Sequence, residues 1–149
     1  MPILTVPFWL ALGKETSVHR ERVQSKVFQV RGVARWEGDR LTLEWSGSVD
    51  ITEVHGKSVR NLRQSVPAQR LVLPPSRIAG IEARGRWWRP YIEVRTTDLG
   101  PLEIVPTASG GQVLLRISRR DWRAARDLAS HVQLEMADVA LRDAERVER

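Results

Sequence analysis

The sequence has no cysteine. That absence removes disulfide scaffolds, thiolate zinc sites, iron–sulfur clusters and thiol nucleophiles. Long hydrophobic runs are missing too. The most apolar stretch, residues 1–13, carries Ile3, Leu4, Val6, Phe8, Trp9, Leu10 and Leu12, but falls short of the roughly 20 residues a bilayer-spanning helix needs. It also lacks the basic leader of a signal peptide, and Pro7 in its middle argues against a helix. The start is therefore expected to be an extended segment or edge strand, with residues 1–26 forming an apolar extension packed on the domain. No lipidation or export signature is visible, so a cytoplasmic location is expected.

Lysine is scarce: of 24 basic residues only Lys14, Lys26 and Lys57 are lysine, a skew that genomic composition explains as readily as function. Against 18 acidic residues the net charge is +6. The 149 residues suit one domain, since a chain of this size buries roughly 70% of its unfolded surface and folds without disulfides or metals. No internal repeat or low-complexity tract divides it.

Between Lys26 and Ile117 short β-rich runs alternate with turn signals. Val27 to Glu37 leads through Gly38-Asp39 into Leu41, Leu43 and Trp45, whose alternation places three large apolar side chains on one strand face. The Gly-Asp pair suits a two-residue hairpin of type II′ or I′. In residues 47–68, Val49, Ile51 and Val54 suggest a continuing strand while His55 to Ser65 is polar and basic, and the stretch is read as an exposed connection. Further strands are expected at Arg70 to Leu73, Ile78 to Ala83, Tyr91 to Val94, Leu102 to Val105 and Val113 to Ile117. At Ser118 the period changes. Ser118 and Asp121 form a capping-box pattern, no Gly or Pro follows, and Trp122, Ala125, Leu128, Val132, Met136 and Val139 recur at helical spacing. The spacing predicts a helix from about Arg119, with Trp122, Ala125, Val132 and Trp45 buried. Beyond Val139 its mostly charged tail is expected to project. The expected class is mainly β with one C-terminal α-helix.

This order resembles the pleckstrin-homology-like (PH-like) barrel, and more closely bacterial proteins of unknown function that share it. The marks are Glu37-Gly38-Asp39-Arg40-Leu41, the Leu73-Pro74-Pro75-Ser76-Arg77-Ile78 step, Gly110-Gly111, and Arg119-Arg120-Asp121 opening the helix. The resemblance covers roughly residues 27–136 within a domain of residues 27–149. It implies about seven antiparallel strands in two sheets capped by the helix, and a binding platform for lipids, peptides or other proteins. The phosphoinositide-binding members carry basic residues around the first hairpin, where this chain has Glu37 and Asp39, which repel an inositol phosphate. No lipid-binding residue carries over.

The chemistry-bearing feature is Arg84, Arg86, Trp87, Trp88, Arg89 and Tyr91, guanidiniums interleaved with aromatic rings around a turn. Arginine stacks on indole, and both are frequent anchors at interfaces. If Trp87 and Trp88 share one extended segment they face opposite sides, so at least one is expected exposed with an arginine against its ring. Residues 56–95 hold nine basic residues against Glu82 and Glu93, a net +7. Alternating strand positions scatter such charge over two faces, and no nucleic-acid motif is present, so no nucleic-acid partner is expected. His19, His55 and His131 are dispersed, Glu53 with His55 offers only two ligands, and no nucleophile-elbow or glycine-rich phosphate pattern occurs. No metal, cofactor or catalytic residue is assigned. The expected function is a non-enzymatic binding or assembly module for a protein segment or for itself, the apolar excess of the last helix favouring an oligomer. Peripheral binding to anionic membrane through the Arg/Trp segment is the alternative. A hydrolase with a dispersed site ranks last.

Overall fold

Strand-forming residues dominate from Leu4 to Arg116, and their alternation is what the fold uses. In the computed structural model, which describes residues 3–10, 14–86, 88–106 and 108–148, eight antiparallel strands precede one helix. The strands are β1 (Leu4–Trp9), β2 (Lys14–His19), β3 (Arg22–Trp36), β4 (Leu41–His55), β5 (Ser58–Leu73), β6 (Ile78–Arg84), β7 (Tyr91–Thr96) and β8 (Gln112–Arg116), and the helix is α1 (Trp122–Glu148). They lie in the order β5-β4-β3-β1-β8-β7-β6, with β2 also paired to β3. The expected class, mainly β with a C-terminal helix, holds.

The strands form one open sheet, rather than two sheets or a closed barrel, because β1 pairs with β3 over six positions and touches β8 at Trp9↔Arg116. That bridge joins a half-sheet of β5, β4, β3 and β1 to one of β8, β7 and β6. β5 and β6 end this path, and β2 pairs with β3 alone. On the β6 edge Gln133 Nε2 of α1 donates to the Ile81 carbonyl at 2.6 Å, giving the helix a hold on backbone that no further strand pairs.

One face of the sheet is the core. Val6, Phe8 and Leu10 of the first segment, Val30, Ala34 and Trp36 of β3, Leu41, Leu43 and Trp45 of β4, and Ile92, Val94, Val113 and Leu115 close against Ala125, Leu128, Ala129 and Val132 of α1. Gly32 sits in one register row between Phe8 and Trp45, and a Cβ there would lie 2.2 Å from the Glu44 carbonyl oxygen and 2.6 Å from the Phe8 ring. Glycine is what lets both rings cover β3.

The described part of the first segment is a strand of the sheet itself, β1, placed between β3 and β8. Only Trp9 has a neighbour on both sides; Pro7, two residues earlier, pairs with β3 alone, the edge-like setting in which a residue without N–H is tolerated. Residue 26 marks no boundary, since β3 runs through it. Residues 47–68 are not a loop either. β4 continues to His55, turns through Gly56 (φ 59°), and returns as β5, held by Val54↔Val59 and Asp50↔Arg63. With β2 these strands make an arm exposed over much of both faces, so its sequence lacks the one-sided apolar pattern that marks a half-buried strand. The span from Leu102 to Val105 is not a strand. Flanked by Pro101 and Pro106, it forms turns closed by Glu103 N–H to Gly100 C=O and Val105 N–H to Leu102 C=O, while still burying Leu102 and Val105.

The Gly38-Asp39 hairpin forms, with Gly38 at φ 92° and Glu37 N–H bonded to Arg40 C=O at 3.2 Å; only the first turn residue is left-handed, as in type II′. The helical segment opens at Arg119 with a 3₁₀ turn and becomes α at Trp122. Ser118 makes no side-chain cap hydrogen bond, so the capping box does not form. Ala125, Val132 and Trp45 are buried, whereas Trp122 is only partly covered at the helix entrance.

Candidate functional site

The opposite face of the sheet carries a different chemistry, set by the same period of two. Because Phe8 and Leu10 point into the core, Trp9 between them points out, and it is 41% exposed. Pairing extends this outward position across five strands: Arg31 on β3, Trp9 on β1, Arg116 on β8, Tyr91 on β7 and Arg84 on β6 are successive register partners. Directly opposed residues share a face, so cations and rings alternate along one row.

At the end of this row the β6–β7 connection folds back. Gly85 takes φ 96°, where a Cβ would stand 2.4 Å from the Arg89 carbonyl oxygen, and Arg89 N–H bonds to Arg86 C=O at 2.8 Å to close a turn. Trp88 in this turn is 49% exposed, with the Arg86 guanidinium 5.0 Å from its ring centroid. The exposed tryptophan with an arginine against its ring is as expected, although it arises in a turn rather than on an extended segment. Trp87 lies outside the described residues. Trp9, Trp88, Arg89, Pro90, Arg116 and Arg119 line an open cleft of about 500 Å³.

Electrostatics separates the arginines. Arg84 bonds to Glu82 through Nε and lies 3.6 Å from Glu93. Its bond and charge hold the exposed Glu82 carboxyl below its ordinary value and raise Arg84 in turn. Arg95 is 3.6 Å from Glu93, Arg63 is 3.5 Å from Asp50, and Arg35 and Arg70 flank Glu44 at 3.6 and 3.8 Å. On the same face Arg31 and Arg116, which bracket Trp9, have no carboxylate partner among the described residues.

Of the residues singled out from sequence, Trp88 and Arg89 line the cleft, Arg86 lies against the Trp88 ring, Tyr91 lies half-buried in the adjoining row, and Arg84 is tied up by two carboxylates. Sequence reading missed Trp9, Arg31, Arg116 and Arg119. The odd position of Trp9 between Phe8 and Leu10 was the available signal, but its partners follow only from pairing between strands distant in sequence. Glu53 accepts a hydrogen bond from Gln24, and among the described residues no group of three metal-ligating side chains occurs. Among the described residues no helix is long and apolar enough to cross a membrane. No family model, curated protein or solved structure matches the chain.

Proposed function

We propose that the chain is a non-enzymatic binding module, PH-like in architecture, that captures an anionic protein segment on the outer face of its sheet. The observation that carries this reading is the cleft in which exposed Trp9 and Trp88 lie beside Arg89, Arg116 and Arg119. Large amphipathic rings next to guanidiniums supply the anchors and charge that interfaces use most. The run of antiparallel strands followed by one C-terminal helix over the core face supports the PH-like reading. Titrating the full chain with acidic peptides while following tryptophan emission tests the function. Saturable binding that weakens in Trp9→Val and Arg116→Ser supports it, and peptide binding unaffected by either substitution removes this face from consideration.

Self-association is a second reading, favoured by exposed Leu134, Leu141 and Val147 on the outer length of α1. Sedimentation of the wild type beside Leu134→Lys/Leu141→Lys tests it: a concentration-dependent dimer lost in the variant supports it, and a monomer at all concentrations refutes it. Adhesion to anionic vesicles that fades with salt would instead favour peripheral membrane binding.

A further inference from the structure

The spacing of the row specifies more than its charge. Neighbouring strands stand about 4.8 Å apart, so Arg31 and Arg116, two strand steps apart with Trp9 between, are separated by about 9.6 Å along the row. A polyproline II segment repeats every three residues with a rise of about 3.1 Å, returning the same face every ~9.3 Å. These two periods coincide within the reach of a guanidinium.

We infer that the segment recognised by this face is an acidic polyproline II stretch with a carboxylate at every third residue. It crosses the strands so that successive acids meet Arg31 and Arg116, while the backbone between them and one flanking side chain pass against Trp9. This rests on the proposed binding of a protein segment and names its chemistry. Two observations and one conformational rule point to this occupant. First, Arg31 and Arg116 are the outer-face strand arginines left without a carboxylate among the described residues, so the row lacks anions at two defined points rather than over a diffuse surface. Second, Trp9 between them offers an exposed ring midway between the two acids, where the nearer of the two flanking proline edges can pack; proline rings pack on indole faces, and the helix is formed before binding, which lowers the ordering cost. Third, Pro following an acid biases that acid toward the required conformation, so the repeat acid-Pro-Pro is self-consistent.

The ruler has two cations, not three. The next cation along the row, Arg84, is already bound by Glu82 and near Glu93. A third acid in register therefore adds little, whereas the second is essential.

The test uses the full chain and four labelled peptides: (Glu-Pro-Pro)₄; a shuffled peptide of equal composition without three-residue spacing; (Gln-Pro-Pro)₄; and a (Glu-Pro-Pro)₄ derivative keeping only two successive acids. Single-stranded oligonucleotide and phosphatidylserine vesicles complete the set. The regular peptide and its two-acid derivative should bind within about twofold of each other, and the shuffled and Gln peptides at least about fivefold more weakly. Arg31→Ser and Arg116→Ser should each weaken binding about fivefold or more, while Arg70→Ser, which removes an arginine already beside Glu44, should change it less than about twofold. Equal binding of the shuffled peptide overturns the spacing but leaves protein-segment binding standing. Binding of oligonucleotide or vesicles, lost in the same variants, with no peptide bound overturns both, as does failure of every probe to bind.

Discussion

The two faces of the sheet are made from the same strands and differ in what they ask of their residues. Along β1 the inner positions Val6 and Phe8 are buried, while the outer Trp9 is exposed. On the inner face neighbours are apolar and substitutions change volume; on the outer face neighbours are charged and substitutions change recognition. A face that α1 covers specifies the fold. A face left open keeps rings and unpaired guanidiniums that the fold does not need.

The largest effect expected from this contrast is on the inner face. Leu128→Ala, at a fully buried position of α1, should lower unfolding free energy by about 3 kcal/mol in urea titration. A loss under about 1 kcal/mol would mean that the helix is not an integral part of the core. Gly32→Val comes next. Its side chain would meet the Glu44 carbonyl and the Phe8 ring, so overpacking should cost about 1–3 kcal/mol. Preservation of the wild-type midpoint would show that the rings of Phe8 and Trp45 do not require that space.

On the outer face the expectation reverses. Arg31→Ser and Arg116→Ser should each leave stability within about 0.5 kcal/mol, because neither loses an ion pair. Their acidic-peptide affinity should nevertheless fall. A stability loss as large as that at Leu128 would erase the distinction between the faces.

The smallest effect concerns Glu82. Its carboxyl is held below 4.5 first by the hydrogen bond from Arg84 and then by the Arg84 charge. A depressed folded value means that the contribution is present above the unfolded value of about 4.5 and disappears as pH falls through the lower one. Solvent screening at this partly exposed carboxylate keeps it small. Melting curves of wild type and Glu82→Gln should therefore differ slightly at about pH 7 and draw together as pH falls below 4.5. A difference that grows on acidification would place the stabilising partner elsewhere.

Legibility in the sequence followed the same division. The core half of each strand was readable where apolar residues alternate, as at Leu41, Leu43 and Trp45, and the helix announced itself through Ala125, Leu128 and Val132. The arm was not readable, because strands exposed on both faces lose the alternation that burial imposes; β5, from Ser58 to Leu73, carries Arg60, Arg63, Pro67 and Arg70 and looks like a loop. The site was half readable. Arg86, Trp88 and Arg89 cluster in sequence, whereas Arg31, Trp9 and Arg116 meet only through register between three separate segments. Charge that looks scattered along a strand is ordered across strands, and local pattern carries no trace of that direction.

The most direct measurement uses the tryptophans themselves, because buried and exposed ones serve as each other's controls. In a nitrogen–proton correlation spectrum of the full chain, addition of an acidic proline-rich peptide should shift the indole N–H signals of Trp9 and Trp88 and leave those of the buried Trp36 and Trp45 in place. Movement of Trp36 and Trp45 with Trp9 and Trp88 unchanged would contradict the assignment of binding to the outer face.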